Sequence, residues 1–529
     1  MERYTQTETY WQKFTLTEED IDRIYNVLME ALAPVDTERL AWVVVEGRIK
    51  DEEKRLHEIL SRGKVYHPRE VYNIGDTLVF PALDYAVGTV VGKRAGYNPA
   101  YPEFQVIQVQ LEGEKTPREF ASGLEAPHRL NDNGDSSPLS GHVSAEEIFD
   151  QYGHYVKKTL EQELARRSDD FVRIANGWFL RDSLAEINIG HLNIADAVMD
   201  IRREPVSLDD ILAELDLPEE IPPEIQRLSL EHALANSENF VSVDVNGERR
   251  WYLRRLLPRA LAEEPRLLRY DPIPYRRDAL PLSLLQIEWE LDDEWSDTMD
   301  EEGVGTSLIP SATLILIYPH WRYGTVPITS RVRGIMPSFD TDVALITLVD
   351  GRWGERFTGW VSPRHRLIAG LDDWYQKHKI PVGAYIIVER KVEEPNTYVI
   401  DFRPRRMKRE WVRTARLEGE RLTFEMNKQE VACETDEHVL LSVADPEAID
   451  AYVESLPDPL PPIQETVGSI FPELSKLNPE GKVHAKTLYS AVNVIRRCPP
   501  GPIFAVLAES DEYQDVGDGY WTAWNRELE

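Results

Sequence analysis

The stretch LARRSDDFVRIANGWFL at residues 164–180 decides the fold, because variants of it recur in this chain of 529 residues. The variants are LANSENFVSVDVNGERRWYL at 234–253 and LAESDEYQDVGDGYW at 507–521. Each copy joins Leu-Ala, a polar pair, a short hydrophobic run and an Asn-Gly or Asp-Gly turn to a second aromatic residue. Such turns favour β-hairpins. The pattern therefore predicts a helix that ends at Leu-Ala, followed by a hairpin whose aromatic residue packs on the helix.

The residues before the second and third copies predict further helices. Before the second copy, the predicted helices cover 194–202, 207–215 and 223–236. Before the third copy, they cover 463–471, 485–497 and 502–510. Three helices followed by a hairpin are the order of elements in a winged helix. The first copy has one predicted helix, over 144–167, so its module is predicted to be incomplete.

The sequence Phe-x-x-x-x-Asn-Gly-Trp-Phe-Leu at residues 171–180 resembles winged-helix domains of the HARE type, found in the delta subunit of bacterial RNA polymerase. The resemblance covers about a third of the chain. It implies a transcription- or chromatin-related module in a bacterial protein. Winged helices also serve as protein-docking units, so the fold leaves both functions open.

The predicted third helices favour protein docking over reading of the DNA major groove. A groove-reading helix normally exposes Arg, Lys, Asn or Gln. The third helix of the second copy is not basic, and that of the third copy carries no cation. Only the first copy has cations on its helix, Lys157, Lys158, Arg166 and Arg167, and a solvated helix face is the alternative interpretation.

Short strands interrupted by Gly and Pro over residues 72–120 predict a small closed β-barrel after an N-terminal helical region. Its Gly75-Asp76, hydrophobic-Pro and Gly88-Thr89-Val90 sequence resembles the Tudor-like barrels of the CarD type. That resemblance implies RNA polymerase as a partner. The long loop at 96–102 departs from the CarD pattern, and a purely structural barrel is the alternative.

One segment is basic although the chain has a formal charge of −33. From Arg322 to Arg416 there are 18 Lys and Arg residues against 11 Asp and Glu residues. The segment is interpreted either as a polyanion-binding site or as an interdomain face whose positive charge complements the acidic stretch at 288–302.

Within this segment, alternating residues predict strands at 343–349, 359–361, 385–389 and 398–402, with a helix at 372–378. The glycine and aromatic placement around Gly-Leu-Asp-Asp-Trp-Tyr at 370–375 resembles the pseudobarrel DNA-binding domain of plant auxin-response factors. The resemblance implies a set of anion-contacting cations. They are Arg352, Arg356, Arg364, Arg366, Lys377 and Lys379.

The densest cationic run of the chain follows, RPRRMKREWVRTAR at residues 403–416. Cations next to an aromatic residue can hold phosphates and stack on a base. The candidate nucleic-acid-binding residues of the run are Arg403, Arg405, Arg406, Lys408, Arg409, Trp411 and Arg413. The alternative is an Arg-rich strand that pairs with acidic neighbours.

The sequence contains no Gly-rich phosphate loop, serine-hydrolase elbow or Cys/His cluster, so no catalytic residue, metal ligand or cofactor is assigned. The one enzymatic pattern is Glu389-Arg390-Lys391 with Asp372 upstream, an arrangement found in Mg²⁺-dependent nucleases. The histidines of the basic segment, His365 and His378, are interpreted as surface residues. The acidic run at 288–294 is interpreted as a solvated linker, with a site for a hard cation as the alternative.

Composition predicts a cytoplasmic protein without a membrane partner. The apolar runs are far shorter than the roughly 20 residues that span a bilayer, and the first eleven residues lack a signal-peptide core. Two cysteines, Cys433 and Cys498, are too few for a disulfide framework and are interpreted as buried thiols.

The sequence thus predicts a multidomain α+β protein with several winged-helix domains and small β-barrel domains. The predicted modules are an N-terminal helical region (1–70), a barrel (71–130), a partial winged helix (141–190), a winged helix (191–258), the basic β-rich pseudobarrel with its acidic lead-in (280–416), a small α/β segment (417–456) and a C-terminal winged helix (463–529). Predicted linkers lie at 131–139, 259–281 and 456–462.

The expected function is that of a noncatalytic factor, near transcription or chromosome organisation. It would bind double-stranded DNA through the basic β-domain, and RNA polymerase or another protein through the winged helices. A scaffold without nucleic-acid affinity is the first alternative, and a Mg²⁺-dependent nuclease is a minor one.

Overall fold

The chain folds as a multidomain α+β protein. A computed structural model describes residues 3–99, 101–126, 143–218, 220–296 and 310–524. The chain divides into two compact units. Unit 1 contains Met1–Glu186 and Leu217–Ser229, and unit 2 contains Ile187–Asp216 and Leu230–Glu529. Among the described residues, no helix has the length and apolar character needed to cross a bilayer. The predicted linker at 131–139 lies outside the described residues.

Unit 1 contains a helical module and a five-stranded sheet. Its helices are α1 (Glu8–Gln12), α2 (Glu18–Glu30), α3 (Thr37–Ser61) and α4 (Ala145–Arg166). Its strands are β1 (Val35–Asp36), β2 (Lys64–Val65), β3 (Thr77–Phe80), β4 (Ala86–Ala95), β5 (Gln105–Leu111), β6 (Arg118–Ser122), β7 (Phe171–Ile174) and β8 (Gly177–Leu180). Helix α4 begins where Ser144 and Glu147 form a capping box.

The first repeat obtains its missing helices from the N-terminal region. Val44 of α3 and Leu160 of α4 lie in one hydrophobic core with the β7–β8 hairpin. Strand β1 pairs with β8 so that Val35 is opposite Trp178. The Trp178 indole also donates a hydrogen bond to the Thr37 hydroxyl at 3.2 Å. The sheet of β2 to β6 is therefore an insertion between α3 and α4 of this module.

The inserted sheet has the strand order β2-β3-β4-β5-β6. Within the described residues, the strand ladder does not pair β2 with β6, so strand pairing does not close the predicted barrel. Main-chain bonds nevertheless join its two edges. The Gly123 amide donates to the Glu70 carbonyl and the Leu124 amide to the Pro68 carbonyl, both at 2.9 Å. The sheet encloses its own core, in which Val109 is fully buried.

Unit 2 contains the third repeat, the basic β-segment and the second repeat apart from the first part of its third helix. Its helices are α5 (Ile189–Arg202), α6 (Leu208–Leu212), α7 (Pro223–Ala235), α8 (Arg259–Ala262), α9 (Leu282–Leu291), α10 (Tyr318–Arg322), α11 (Ser330–Arg333), α12 (Asp372–His378), α13 (Pro446–Ser455), α14 (Ile463–Ser475), α15 (Ala485–Val492) and α16 (Pro500–Glu509). Helix α7 begins in the sequence range of unit 1.

The strands of unit 2 are β9 (Phe240–Val245), β10 (Glu248–Leu253), β11 (Ser311–Ile315), β12 (Thr325–Pro327), β13 (Val343–Asp350), β14 (Arg356–Ser362), β15 (Leu367–Ala369), β16 (Tyr385–Arg390), β17 (Thr397–Phe402), β18 (Pro404–Glu418), β19 (Arg421–Cys433), β20 (Leu441–Val443), β21 (Val483–His484), β22 (Tyr513–Gly517) and β23 (Tyr520–Ala523). The strands and the helix predicted in the basic segment are confirmed as β13, β14, β16, β17 and α12.

The second and third repeats use the same pairing as the first. Val206 precedes α6 and forms a bridge with Trp251 on β10. Val483 precedes α15 and pairs with Trp521 on β23. In each repeat, a valine before the second helix therefore lies opposite the tryptophan of the hairpin. The sequence pattern did not predict this short strand.

The basic β-segment and the second repeat share one nine-stranded sheet. Its main path is β11-β16-β17-β13-β14-β15-β12, and β13 also pairs in parallel with β9 of the second repeat. A separate three-stranded sheet has the order β19-β18-β20. It contains the cationic run, and the long β18–β19 hairpin exposes part of that run.

The acidic run at 288–294 is not the solvated linker predicted from the sequence. Part of it lies in α9, and the side chains of Asp293 and Glu294 are buried. Both carboxylates contact Arg497 at 2.7 Å. The interior of unit 2 accepts these charges because a buried cation compensates them, which composition alone does not reveal.

The linker predicted at 259–281 is also part of the core of unit 2. Leu261 and Leu267 are nearly fully buried in the large hydrophobic cluster of that unit. Arg266 donates hydrogen bonds to the carbonyls of Val453, Leu456 and Pro457, which holds this segment against the residues after α13. The high Pro and Arg content of residues 259–281 therefore belongs to an irregular backbone that packs in the core, not to a linker.

Candidate polyanion-binding site

Carboxylates hold most of the cations that were predicted to contact anions in the nine-stranded sheet. Arg352 contacts Asp401 at 2.7 Å, Arg356 contacts Glu394 at 2.7 Å, Arg364 contacts Glu264 at 3.8 Å and Lys377 contacts Glu355 at 2.5 Å. A phosphate at Arg352, Arg356 or Lys377 would have to compete with the neighbouring carboxylate, whereas the exposed Arg364 is held only weakly by its distant partner. The sheet therefore offers less free positive charge than its composition indicates.

Arg366 and Lys379 lie at turns, each with a φ of 51°. The Arg366 guanidinium donates to the Glu294 carbonyl at 2.7 Å and lies 4.5 Å from the centre of the Trp295 ring. Lys379 ends α12 and is exposed. The structure thus does not join these two residues into one anion site.

Arg413 of β18 has a structural role. Its guanidinium donates to the carbonyls of Glu437, His438 and Leu440 at 2.9 to 3.2 Å. Burial lowers the pKa of this guanidinium. The side chain holds the loop before β20, so the prediction that it contacts nucleic acid gains no support from its position.

Three other candidate cations of the run have carboxylate partners, as does Arg416, which contacts Glu425 at 3.3 Å. Arg403 contacts Glu434 at 3.7 Å, Arg405 contacts Glu410 at 2.5 Å and Arg409 contacts Glu430 at 3.6 Å. The last contact joins side chains that are 76% and 56% exposed. An exposed ion pair of this kind contributes about 0 to 1 kcal/mol, so Arg409 can exchange its partner for a phosphate at little cost.

The remaining predicted residues lie along one stretch of the hairpin. Arg406, Lys408, Arg409 and Trp411 of β18, together with Lys428 of β19, form what we call the hairpin patch. Arg406 and Lys408 are exposed, and within the described part of the chain neither forms an ion pair. Both belong to the stretch from Pro404 to Lys408, where the register with β19 shifts.

Trp411 lies at the centre of the hairpin patch. Its side chain is 59% exposed. Lys428 is its cross-strand partner, with the ammonium 5.0 Å from the ring centre. Arg409 is two residues away on the same face of the strand. The patch therefore combines one exposed indole with cations on two adjacent strands.

Sequence reasoning missed Lys428 because that residue lies beyond the cationic run, in a segment assigned to another module. The detectable signal was Gly419, which has a φ of 66° between two alternating runs of residues. A glycine turn between alternating runs predicts a hairpin, and a hairpin places the later strand beside the run.

The nuclease pattern is not assembled into a metal site. Lys391 pairs with Glu394 at 2.7 Å, and Glu389 is exposed on β16. Asp372 begins α12, and burial raises the pKa of its carboxyl. Among the described residues, no three His, Cys, Asp or Glu side chains are grouped so that they could hold a metal ion.

His365 lies between a serine and a glutamate, in the same order of residue types as a catalytic triad. Its Nδ1 lies 2.7 Å from the Ser362 hydroxyl, and its Nε2 lies 2.5 Å from Glu264. Ser362 is fully buried, so its hydroxyl has no path to a substrate. His378, predicted at the surface, is instead almost buried and contacts Asp350 at 2.8 Å. Both histidines have structural partners.

Comparison with known proteins gave no matching family model, no matching curated protein and no matching solved structure, so the interpretation of the hairpin patch rests on its own residues.

Proposed function

We propose that the protein is a noncatalytic factor that binds nucleic acid through the hairpin patch and protein partners through its three helix–hairpin repeats. One observation carries the first half of this proposal. The exposed Trp411 shares one face of the hairpin with Arg409 and Lys428, and the exposed Arg406 and Lys408, which form no ion pair among the described residues, lie earlier on the same strand. Cations of this kind attract phosphates, and an indole offers a face on which a base can stack.

The proposed site is smaller than the sequence indicated. Arg406, Lys408, Arg409 and Lys428 allow about four phosphate contacts, since Arg403, Arg405 and Arg413 of the same run contact carboxylates or main-chain carbonyls. Four contacts predict that affinity falls about 100-fold when the salt concentration rises from about 50 to about 200 mM. The binding is therefore expected to be weak at physiological salt.

The test is binding of labelled nucleic acid by the full chain at these two salt concentrations. The test variant carries Arg406→Glu, Lys408→Glu and Arg409→Glu. We expect the wild type to bind at low salt and the variant to lose binding at both concentrations, because phosphate contacts are replaced by repulsion.

A matched control separates local contacts from the effect of net charge. Lys13, Lys54 and Lys115 are exposed lysines of unit 1, and changing all three to Glu alters the net charge by the same amount. This control should bind like the wild type. Equal losses in both triple variants, or no binding by the wild type at low salt, would contradict a specific site on the hairpin.

The repeats support docking to proteins rather than reading of the major groove. Residues 500–507 of α16 are buried, so the third helix of the last repeat cannot enter a groove. The cations of α4 are mostly paired. Lys157 contacts Glu38, Arg166 contacts Glu163 and Arg167 contacts Glu18 at 2.5 to 3.3 Å.

Bacterial RNA polymerase or another cytoplasmic protein is the partner that we propose for the repeats, consistent with a role near transcription or chromosome organisation. Co-sedimentation of the full chain with purified bacterial RNA polymerase tests this partner. A stable complex supports the proposal. If no complex forms at micromolar concentrations, RNA polymerase is excluded as the partner of the repeats.

A scaffold without nucleic-acid affinity is the second candidate. The observation that favours it is the pairing of cations with carboxylates throughout the nine-stranded sheet, for example Arg352 with Asp401. On this alternative, the positive residues stabilise unit 2 and contact no polyanion. It predicts that the wild type fails to bind any nucleic acid at about 50 mM salt, where about four phosphate contacts would be strongest.

A further inference from the structure

We infer that the hairpin patch takes single-stranded rather than duplex nucleic acid, with Trp411 stacking on an unpaired base. This inference rests on the proposed function, since it names the ligand of the same site. It differs from the sequence expectation, which was duplex DNA bound by a basic pseudobarrel.

Strand β18 exposes an aromatic ring at Trp411. The Trp411 side chain is 59% exposed, although an indole of this size is usually buried on folding. In a duplex, each base already stacks on its neighbours and its faces are unavailable to a side chain. In a single strand, a base can turn outward and stack on an exposed ring. The exposed indole can therefore stack on a base of a single strand but not on a base inside a duplex.

Two cations lie beside the Trp411 ring at a spacing that suits one nucleotide. Arg409 and Trp411 lie about 7 Å apart along one face of β18, as residues i and i+2 of a strand do. Lys428 lies directly across from Trp411 on β19. One nucleotide can thus place its base on the indole while the adjoining phosphates reach the two cations.

Carboxylates lie beside the hairpin patch on β19. Glu430 lies across from Arg409, and Glu425 lies on β19 and contacts Arg416 at 3.3 Å. A rigid duplex carries phosphates at fixed positions on both strands and would bring some of them near these carboxylates. A flexible single strand can follow the narrow row of cations and avoid them.

The test compares three ligands with the same number of phosphates at about 50 mM salt: single-stranded oligothymidylate, an intact DNA duplex and a heteropolymer single strand. Variants of the full chain carry Trp411→Leu or Trp411→Phe. The matched control is Trp353→Leu, because Trp353 is also 60% exposed with a lysine, Lys377, over its ring, but that lysine is paired with Glu355.

We expect the wild type to bind both single strands at least tenfold more tightly than the duplex. Trp411→Leu should weaken single-strand binding about tenfold or more and leave duplex binding unchanged, since stacking is lost and the cations remain. Trp411→Phe should restore part of the affinity, and Trp353→Leu should behave like the wild type.

The outcomes separate the inference from the proposed function. If single strands and duplex bind equally and Trp411→Leu has no effect, the inference is overturned while nucleic-acid binding by the patch stands. If no ligand binds to the wild type, the proposed function fails and the inference fails with it.

Discussion

Arg497 is completely buried in unit 2, between the carboxylates of Asp293 and Glu294. The hydroxyl of Tyr489 donates to Asp293 at 2.5 Å, and His320 lies 3.1 Å from Glu294. Burial raises the pKa of the Glu294 carboxyl, but Arg497 and His320 together lower it more, so this pKa lies below its usual range. The cluster connects α15 and the C-terminal repeat to the residues that follow α9.

Replacing Arg497 with Met should destabilise unit 2 by about 3 to 5 kcal/mol, because two buried carboxylates lose their cation. The measurement is the shift of the denaturant unfolding transition of the full chain. Arg364→Met, at a side chain that is 78% exposed, is the control and should change the stability by no more than about 0.5 kcal/mol. A shift for Arg497→Met as small as that of the control would show that the cluster is hydrated.

The imidazoles of His438 and His484 stack with their ring centres 3.7 Å apart. His484 is the N-cap of α15, where its Nδ1 accepts a hydrogen bond from the Lys486 amide. Burial is the largest cause that lowers the pKa of His484, to about 3, and the nearby His438, Lys486 and Arg413 lower it further, while Asp436 opposes them. Burial also lowers the pKa of His438.

This pair should make the protein sensitive to acid. A histidine whose folded pKa lies below its unfolded value of about 6.5 contributes its full stability above that value. The contribution declines as the pH falls from about 6.5 towards 3, because the unfolded state binds the proton first. Unfolding measured at pH 7 and pH 5 should therefore show lower stability at pH 5.

His484→Asn is the variant that isolates this effect. Asparagine retains an acceptor for the Lys486 amide and is a good N-cap residue, but it does not titrate. The difference in stability between pH 7 and pH 5 should be smaller in the variant than in the wild type by up to about 2 kcal/mol. An unchanged difference would assign the acid sensitivity to other groups.

At the scale of elements, the first repeat is interrupted by a sheet with its own core. The core of the repeat lies in α2, α3, α4 and the β7–β8 hairpin, while the core of β2 to β6 is a separate cluster. A module that tolerates an insertion between two helices should also tolerate its removal.

Replacing residues 63–141 with a Gly/Ser linker of about 15 residues should leave the first repeat folded. The measurement is hydrogen exchange of the amides in α3 and α4, which should remain slow in the shortened protein. Leu160→Asp in the intact chain is the comparison and should speed exchange throughout the repeat, because it places a charge in the core. Fast exchange in the shortened protein would mean that the sheet supports the repeat.

Most helices and strands could be predicted from the local sequence. Strands β13, β14, β16 and β17 follow the alternation of their residues, and α12 occupies the predicted residues. The hairpins of the second and third repeats follow from the turns at Asn246-Gly247 and Asp518-Gly519, whereas in the first repeat the turn lies on Ala175 and Asn176 and Gly177 already belongs to β8. The short strand before the second helix of each repeat could not be predicted. One or two residues, such as Val206, are too few to show the alternation of apolar and polar residues that indicates a strand.

At the scale of the whole molecule, a chain with a formal charge of −33 keeps much of its positive charge in contact with its own carboxylates. Among the predicted anion-contacting residues, Arg356 and Lys377 are paired with carboxylates and Arg413 donates to main-chain carbonyls. Only tertiary pairing identifies which cations remain for a ligand, because partners such as Glu394 and Glu264 lie tens of residues away in sequence. The candidate site is consequently reduced to one part of the β18–β19 hairpin.

The sequence by itself determined the α+β class, the repeated helix–hairpin unit and the position of the cationic run, because these depend on periodicity, turn residues and composition within short windows. The tertiary structure alone decided that the N-terminal helices complete the first repeat, that Asp293 and Glu294 are buried against Arg497, and that Lys428 joins Trp411. Those features depend on contacts between residues far apart in the chain. Burial and pairing at such distances are set by how the elements pack, which no local pattern encodes.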